Sequence, residues 1–267
     1  MGACDGIYLY TDLDGTLLTD DKRISEEDAA AICEFVREGG RFGVATGRVP
    51  GIIGNVAKAL PVNAPCILYN GAGLYHLGER RFLAMHPVDR RACARVTQEA
   101  IRLERNVCIQ IFTDSAIYET NPDQRDDPCT VFERIATVKS TLNEVPDIFL
   151  KFVLSQSPER MNRLMQKLDL SHIGGGLSLF RSSDIYYEFV SEGINKGAAL
   201  ADVRSRCKNV KKILAIGDFE NDLEMIELAD VGGAPANAIA SVKAAANIVL
   251  PVDNNHGAVA RFLETAL

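Results

Sequence analysis

Both ends of this chain share one rhythm. Short apolar runs are each closed by a polar turn and followed by residues at helical spacing. Ile7–Thr11 is apolar, aromatic and β-branched, and stops at Asp12-Leu13-Asp14-Gly15-Thr16. It reads as a buried strand. Ser25-Glu26-Glu27-Asp28 reads as a capping box, with Ala29, Ile32, Cys33 and Val36 at helical spacing behind it and Gly39-Gly40 as the stop. Phe42–Ala45 predicts a second strand, closed by Thr46-Gly47-Arg48. Pro50 opens a helix toward Leu60, and Cys66–Tyr69 predicts a third strand ending at Asn70-Gly71. The rhythm returns with helix Lys196–Cys207, strand Lys212–Ile216 closed by Gly217-Asp218, and helix Asn221–Ala229. A small strand at Val231-Gly232-Gly233, helix Asn237–Ala246, strand Ile248–Leu250 and helix His256–Ala266 complete it. This alternation predicts an α/β fold with a Rossmann-like, mostly parallel sheet covered on both faces.

The middle of the chain has a different pattern. It predicts a helix (Asp89–Glu104), two close strands (Cys108–Thr113, Ala116–Glu119) and a charged stretch at Asn121–Pro128. A strand (Ile148–Leu154), a helix opened by Pro158, and strands near Leu177–Arg181 and Ile185–Val190 follow. Paired strands with turns between them indicate an α+β module on a largely antiparallel sheet. The expected organisation is a core of residues 1–82 and 188–267, with a cap domain of residues 83–187 inserted.

Composition narrows the class. Over 267 residues, 47% hydrophobic and 24% charged content is that of a soluble globular protein rather than a disordered one. A net charge of −7 argues against nucleic-acid and anionic-membrane partners. The seven cysteines (4, 33, 66, 93, 108, 129, 207) include no C-x-x-C pair and suggest neither zinc nor a disulfide framework. They read as reduced thiols of a cytoplasmic protein. No secretory signal is visible, and Gly6 stands where a myristoylation motif needs Ser or Thr. The uncharged stretch Leu60–Gly78 is too broken by Pro, Asn and Gly to span a membrane.

Three polar clusters close predicted core strands: Asp12/Asp14, Thr46-Gly47-Arg48, and Gly217-Asp218 with Asn221-Asp222. Parallel strands bring such ends to one edge, where open α/β sheets bind ligands. Clustered carboxylates need a cation or a shared proton. Oxygen-only donors suit a hard cation such as Mg²⁺, and a carboxylate beside it can attack phosphorus.

At these residues the chain resembles the haloacid dehalogenase-like (HAD) phosphohydrolases. Asp12-Leu-Asp14-Gly-Thr16 is similar to their first signature, Thr46 to the second, Lys196 in Gly193-Ile-Asn-Lys-Gly197 to the third, and Gly217-Asp218-x-x-Asn221-Asp222 to the fourth. Thr46-Gly47-Arg48, Asn70-Gly71-Ala72 and the place of the insertion are similar to the Cof-type subfamily IIB, with a type C2 cap. The resemblance implies an Mg²⁺-dependent phosphatase for small phosphorylated metabolites, sugar phosphates foremost, acting as a monomer or homodimer. It implies Asp12 as nucleophile and Asp14 as general acid and base, with Asp12, the Asp14 backbone carbonyl, Asp218 and Asp222 at the metal. Thr46, Gly47, Arg48, Asn70, Gly71 and Asn221 would face phosphate or substrate, and Lys196 would pair with both phosphate and nucleophile. A phosphomutase or phosphotransferase using the same intermediate, and a non-catalytic phosphometabolite-binding regulator, remain as alternatives.

Plainer readings stand beside these. Asp12 and Asp14 could simply shape a turn. Asp218 and Asp222 read as a like-charge pair one helical turn apart. Gly174-Gly175-Gly176 reads as a loop before a cap strand, and Met161/Met165 as cap core. The four histidines form no metal-binding pair, and Lys208, Lys211 and Lys212 read as a solvated helix end.

Overall fold

The computed structural model describes residues 2–127, 131, 134–146 and 148–267. In chain order it begins with β1 (Ile7–Thr11), α1 (Glu26–Arg37), β2 (Arg41–Val44), α2 (Pro50–Ala59), β3 (Cys66–Leu68), β4 (Gly73–His76) and β5 (Arg81–Met85). Then come α3 (Arg90–Leu103), β6 (Cys108–Phe112), β7 (Ile117–Glu119), β8 (Val138–Lys139) and β9 (Lys151–Ser155). They are followed by α4 (Pro158–Lys167), α5 (Leu170–Ile173), β10 (Leu177–Arg181) and β11 (Tyr186–Ser191). The last part runs α6 (Lys196–Arg206), β12 (Lys212–Ile216), α7 (Leu223–Leu228), β13 (Val231–Ala234), α8 (Ala240–Ala245), β14 (Ile248–Val249) and α9 (Ala258–Ala266).

The chain forms two units, Met1–Met85 with Asn195–Leu267, and His86–Ile194. The divisions expected after residues 82 and 187 lie a few residues further on. The reason is pairing: β5 stays on β4 as far as Met85, and β11 is held by β9 and β10.

In the first unit the sheet order is β14-β13-β12-β1-β2, with every pair parallel. Tyr8, Tyr10, Ile213 and Ala215 share one buried cluster with Leu200 and Val203 of α6, Met225 of α7 and Val242 of α8. Strand alternation sends Leu9, Phe42, Leu214 and Ile216, also buried, to the opposite face. There α1 and α9 pack together, and Gly233, in register with Ile216, leaves room for the Phe262 ring. Burial on both faces explains why these strands read as continuous apolar runs. Each large buried side chain contributes roughly 1.5–3 kcal/mol. From β1 the chain crosses to β2 on one side and later returns as β12 on the other, which places a crevice at the carboxyl ends of these strands.

At α1 half of the capping box is present: the Ser25 side chain accepts from Asp28 N, while the Asp28 carboxylate accepts from Ala260 N at 2.8 Å. The stretch after β3 differs from expectation. The strand stops at Leu68, and a single parallel bridge, Ala45–Ile67, joins it to the main sheet. The chain then folds back as the antiparallel β3-β4-β5 sheet, a hairpin the sequence pattern does not announce.

The second unit is a six-stranded sheet, β10-β11-β9-β6-β7-β8, antiparallel except for β7–β8. Ile109, Ile111, Phe152, Leu154 and Phe189 pack against Val96 of α3 and Met161 and Leu164 of α4. The Phe152 and Phe189 rings stack at 4.5 Å. Met165 joins this core, and Gly174–Gly176 is the loop from α5 to β10. Six cysteines are free thiols, and Cys129 lies outside the described residues. Among the described residues no helix is long and apolar enough to cross a membrane.

Candidate active site

The site belongs to the first unit. Asp12 N continues the β1 ladder by donating to Ile216 O at 3.0 Å, after which the chain turns away. Leu13 and Leu17, both fully buried, anchor that turn. Gly15 has φ +80°, and a Cβ there would lie 2.4 Å from Asp218 Oδ2, so only glycine lets the loop pass this carboxylate. Thr16 Oγ1 donates to Asp218 Oδ1 at 2.7 Å. The ends of β2 and β3 are fastened to one another: Thr46 N donates to Ile67 O at 2.8 Å and Asn70 N to Thr46 O at 3.1 Å. Arg48 N donates to Thr46 Oγ1 at 3.2 Å, with Gly47 between them. Tyr69 and Asn70 both have positive φ, 52° and 55°. That kink brings Asn70 Oδ1 within 3.1 Å of its donor, Asn221 Nδ2. A Cβ on Gly71 (φ +102°) would meet Asn195 O at 2.2 Å, so this glycine allows the turn to lie against the start of α6.

Lys196, at that helix start, is completely buried. Its Nζ donates to Asp12 Oδ1 at 2.7 Å and to Asp222 Oδ1 at 2.6 Å. Asp222 Oδ2 accepts from the backbone N–H of Asp218 (3.0 Å) and Phe219 (3.2 Å). The like-charge helical pair read from the sequence is therefore corrected. Asp218 lies in a loop before the helix, and Asp222 folds back to satisfy that loop's N–H groups.

Carboxylate oxygens of Asp12, Asp218 and Asp222 lie within 4.8 Å of one another. Burial pushes Asp12 up, Lys196 pulls it back, and Asp222, Asp218 and Asp14 push it up again, for a net rise. Burial and then Asp222 push Asp218 up to about 7, against Thr16 and Lys196. Burial alone would lower Lys196, yet Asp12 and Asp222 hold it above its usual value. Burial is the first cause of the rise at Asp12 and Asp218, the neighbouring carboxylates add to it, and Asp12 and Asp222 hold Lys196 up. The all-oxygen donor set fits a hard divalent cation.

Asp14 stands apart from that cluster. Arg48 donates to it from Nε (2.7 Å) and Nη2 (2.8 Å), and Lys22 Nζ donates at 2.6 Å. Burial would raise its carboxyl, but the two cations bring it down to about 2. So Arg48 is paired with Asp14, and the Asp14 carboxylate is not among the cluster oxygens. Lys22 escaped the sequence reading, as did Asn237 and Asn254. Asn237 Nδ2 donates to Gly15 O at 2.7 Å, and Asn254 Nδ2 to Leu18 O at 2.9 Å. Asp253-Asn254-Asn255 follows the β14 region, and the rule that polar residues gather at strand ends could have found it.

A family model for haloacid dehalogenase-like hydrolases matches residues 9–263. The chain is 28% identical to a pyridoxal phosphate phosphatase of Escherichia coli, covering 96% of this chain and 97% of that one. It is 26% identical to a 5-amino-6-(5-phospho-D-ribitylamino)uracil phosphatase of Bacillus subtilis, covering 95% and 94%. A solved structure from Thermotoga maritima superposes with TM-score 0.77 at 30% identity, covering 97% of this chain and 96% of that chain.

Proposed function

This chain belongs to the haloacid dehalogenase-like hydrolases, as a phosphatase of that family, and we propose that it hydrolyses small phosphomonoesters through an aspartyl-phosphate on Asp12. The carrying observation is the buried Asp12 carboxylate, held by Lys196 beside Asp218 and Asp222. An oxygen of Asp12 attacks phosphorus as the ester P–O bond breaks. Asp14, which takes up a proton once it leaves Arg48 and Lys22, gives that proton to the departing alcohol. Asp14 then takes a proton from water as that water attacks phosphorus. The Asp12–phosphorus bond breaks, releasing inorganic phosphate and the free carboxylate.

Lys196 favours the ionised form of Asp12 and offers positive charge to the phosphoryl group. Thr46, Gly47, Asn70, Gly71 and Asn221 line the same edge and bind the phosphate. Arg48 orients Asp14. Asp12, Asp218 and Asp222, with the Asp14 backbone carbonyl, would hold Mg²⁺, which would supply positive charge to neutralise the phosphoryl group. Relatives named for pyridoxal phosphate and a phosphoribityl compound support a small phosphometabolite as substrate, sugar phosphates among them. We place the enzyme in the cytoplasm, as a monomer or homodimer.

The test is phosphate release from a panel of small phosphomonoesters, in Mg²⁺ and in chelator, by the wild type and Asp12→Asn. Metal-dependent release, lost by at least about a thousandfold in a folded Asp12→Asn protein, is expected. Normal turnover by that variant would refute the nucleophile assignment. An isomerised ester in place of free phosphate would identify a mutase.

A further inference from the structure

In the first unit, the amino ends of the core strands border an open cavity of about 430 Å³. Arg41 opens β2, Tyr8 is its partner on β1, and Cys207 ends α6 before β12 begins. His76 and Arg81 are partners across β4 and β5. Asp12, Thr46 and Asp218 follow the carboxyl ends of β1, β2 and β12 instead. β1 is five residues long, so the two edges stand ~15 Å apart. In a chain of net charge −7, the cavity wall holds Arg41, Arg81, Arg206 and His76 and no carboxylate. Arg206 donates from Nε to Asp202 at 2.7 Å, and Arg81 from Nε to Glu79. A guanidinium held through Nε keeps both Nη groups for another acceptor. Among the described residues neither arginine makes a further bond, and Arg41 has no hydrogen bond or ion pair. His76 Nδ1 accepts from Glu79 N at 3.0 Å, so the ring proton sits on Nε2.

Tyr8, Pro65 and Leu83 give the wall an apolar part. Tyr10 Oη fixes Pro65 by donating to its carbonyl at 2.9 Å. Burial first, then Cys207, raise the Tyr8 hydroxyl, and Arg41 offsets part of that rise, so the Arg41 charge is felt at this wall. Stability does not account for the arrangement: guanidiniums around one concavity repel each other, and exposed ion pairs contribute little to folding. A ligand does account for it. Guanidinium forks take phosphoryl oxygens in pairs, an apolar wall takes a carbon skeleton, and a cavity of this size suits a small molecule. We propose that this cavity binds a small organic anion of the nucleoside diphosphate class, at a site separate from the phosphatase centre.

The experiment titrates ADP, pyrophosphate and adenosine into the full chain by calorimetry, in chelator so that no phosphoryl transfer occurs. A single ADP per chain is expected, bound at least about tenfold more tightly than pyrophosphate or adenosine. Arg41→Ala and Arg206→Ala should each weaken ADP by about tenfold, since each removes a charge-assisted contact. Thr46→Ala at the phosphatase centre and Arg261→Ala on α9 should change it by less than about twofold. Thermal unfolding checks that each variant folds. Arg41 is exposed at a strand start, so Arg41→Ala carries the test even where Arg206→Ala disturbs α6. No binding by the wild type at millimolar ADP would overturn the proposal. So would a loss that follows Thr46 rather than the arginines, which would put ADP at the phosphatase centre. An equal loss in Arg261→Ala would reduce the binding to general attraction by surface cations, and adenosine binding as tightly as ADP would remove the anion; either result refutes the site.

Discussion

Lys196 in the first unit and Lys151 in the second are both buried lysines held by carboxylates, in opposite electrical surroundings. Lys151 donates to Glu188, lies 4.5 Å from the centroid of the Phe112 ring, and shares Glu188 with the hydroxyl of Ser182. One positive charge meets one negative charge. Lys196 touches two carboxylates, with a third in the same oxygen cluster. A balanced buried pair is electrically complete and serves packing. Burial and the neighbouring carboxylates together push Asp12 and Asp218 toward protonation, and Lys196 offsets only part of that. Buried charge alone does not mark a site; buried charge left unbalanced does.

The contrast can be broken by removing each ammonium. Lys196→Met is expected to lose on the order of a hundred- to a thousandfold in turnover in saturating Mg²⁺. Unfolding in urea should also show a stability loss of about 3–5 kcal/mol, since two carboxylates lose their partner. Lys151→Met is expected to lose a similar amount of stability with far less effect on turnover. Lys151→Met with Glu188→Leu should recover most of that stability, because a balanced pair can be replaced by apolar groups. Comparable turnover losses at the two lysines would erase the distinction.

Acidity sharpens the contrast next. Asp218 holds its proton up to about 7, against about 3.9 for an unfolded Asp. Between those values the metal-free folded state binds more protons than the unfolded one, so its stability falls as pH rises from about 4 to about 7. Thermal unfolding in chelator should show this loss, and Mg²⁺ at pH 8 should reverse it. The Mg²⁺ concentration for half-maximal turnover should rise up to about tenfold per unit as pH falls below about 7, because the cation competes with that proton. A flat requirement across this range would contradict the charge account. The smallest expected effect is at Gly15. Gly15→Ala combines a left-handed backbone with a Cβ too close to Asp218, and should cost about 1–3 kcal/mol in urea unfolding.

The parallel core was legible in the sequence because its strands are buried on both faces and end in polar turns, and Asp12, Thr46 and Asp218 fall at those ends. The β4–β5 hairpin was not. Its start depends on left-handed Tyr69 and Asn70, with Asn70 bonded to Asn221 and Gly71 lying close against Asn195, both far away in sequence. Asp14 was read as a proton carrier, yet its partners Lys22 and Arg48 come from loops that only the fold brings together. Only the helical spacing of Asp218 and Asp222 differs: Asp218 lies in a loop before the helix, and Asp222 accepts from that loop's N–H groups. Sequence periodicity shows where strands end; it does not show which side chains the ends exchange.

Asp12 is proposed to form the bond to phosphorus. The most direct measurement is acid quenching during turnover of a phosphomonoester, followed by mass spectrometry of the peptide that contains Asp12. The predicted result is a transient phosphoryl adduct on Asp12, absent in Asp12→Asn and in chelator. Full turnover with no adduct on that peptide at any quench time, while Asp12→Asn stays active, would contradict it.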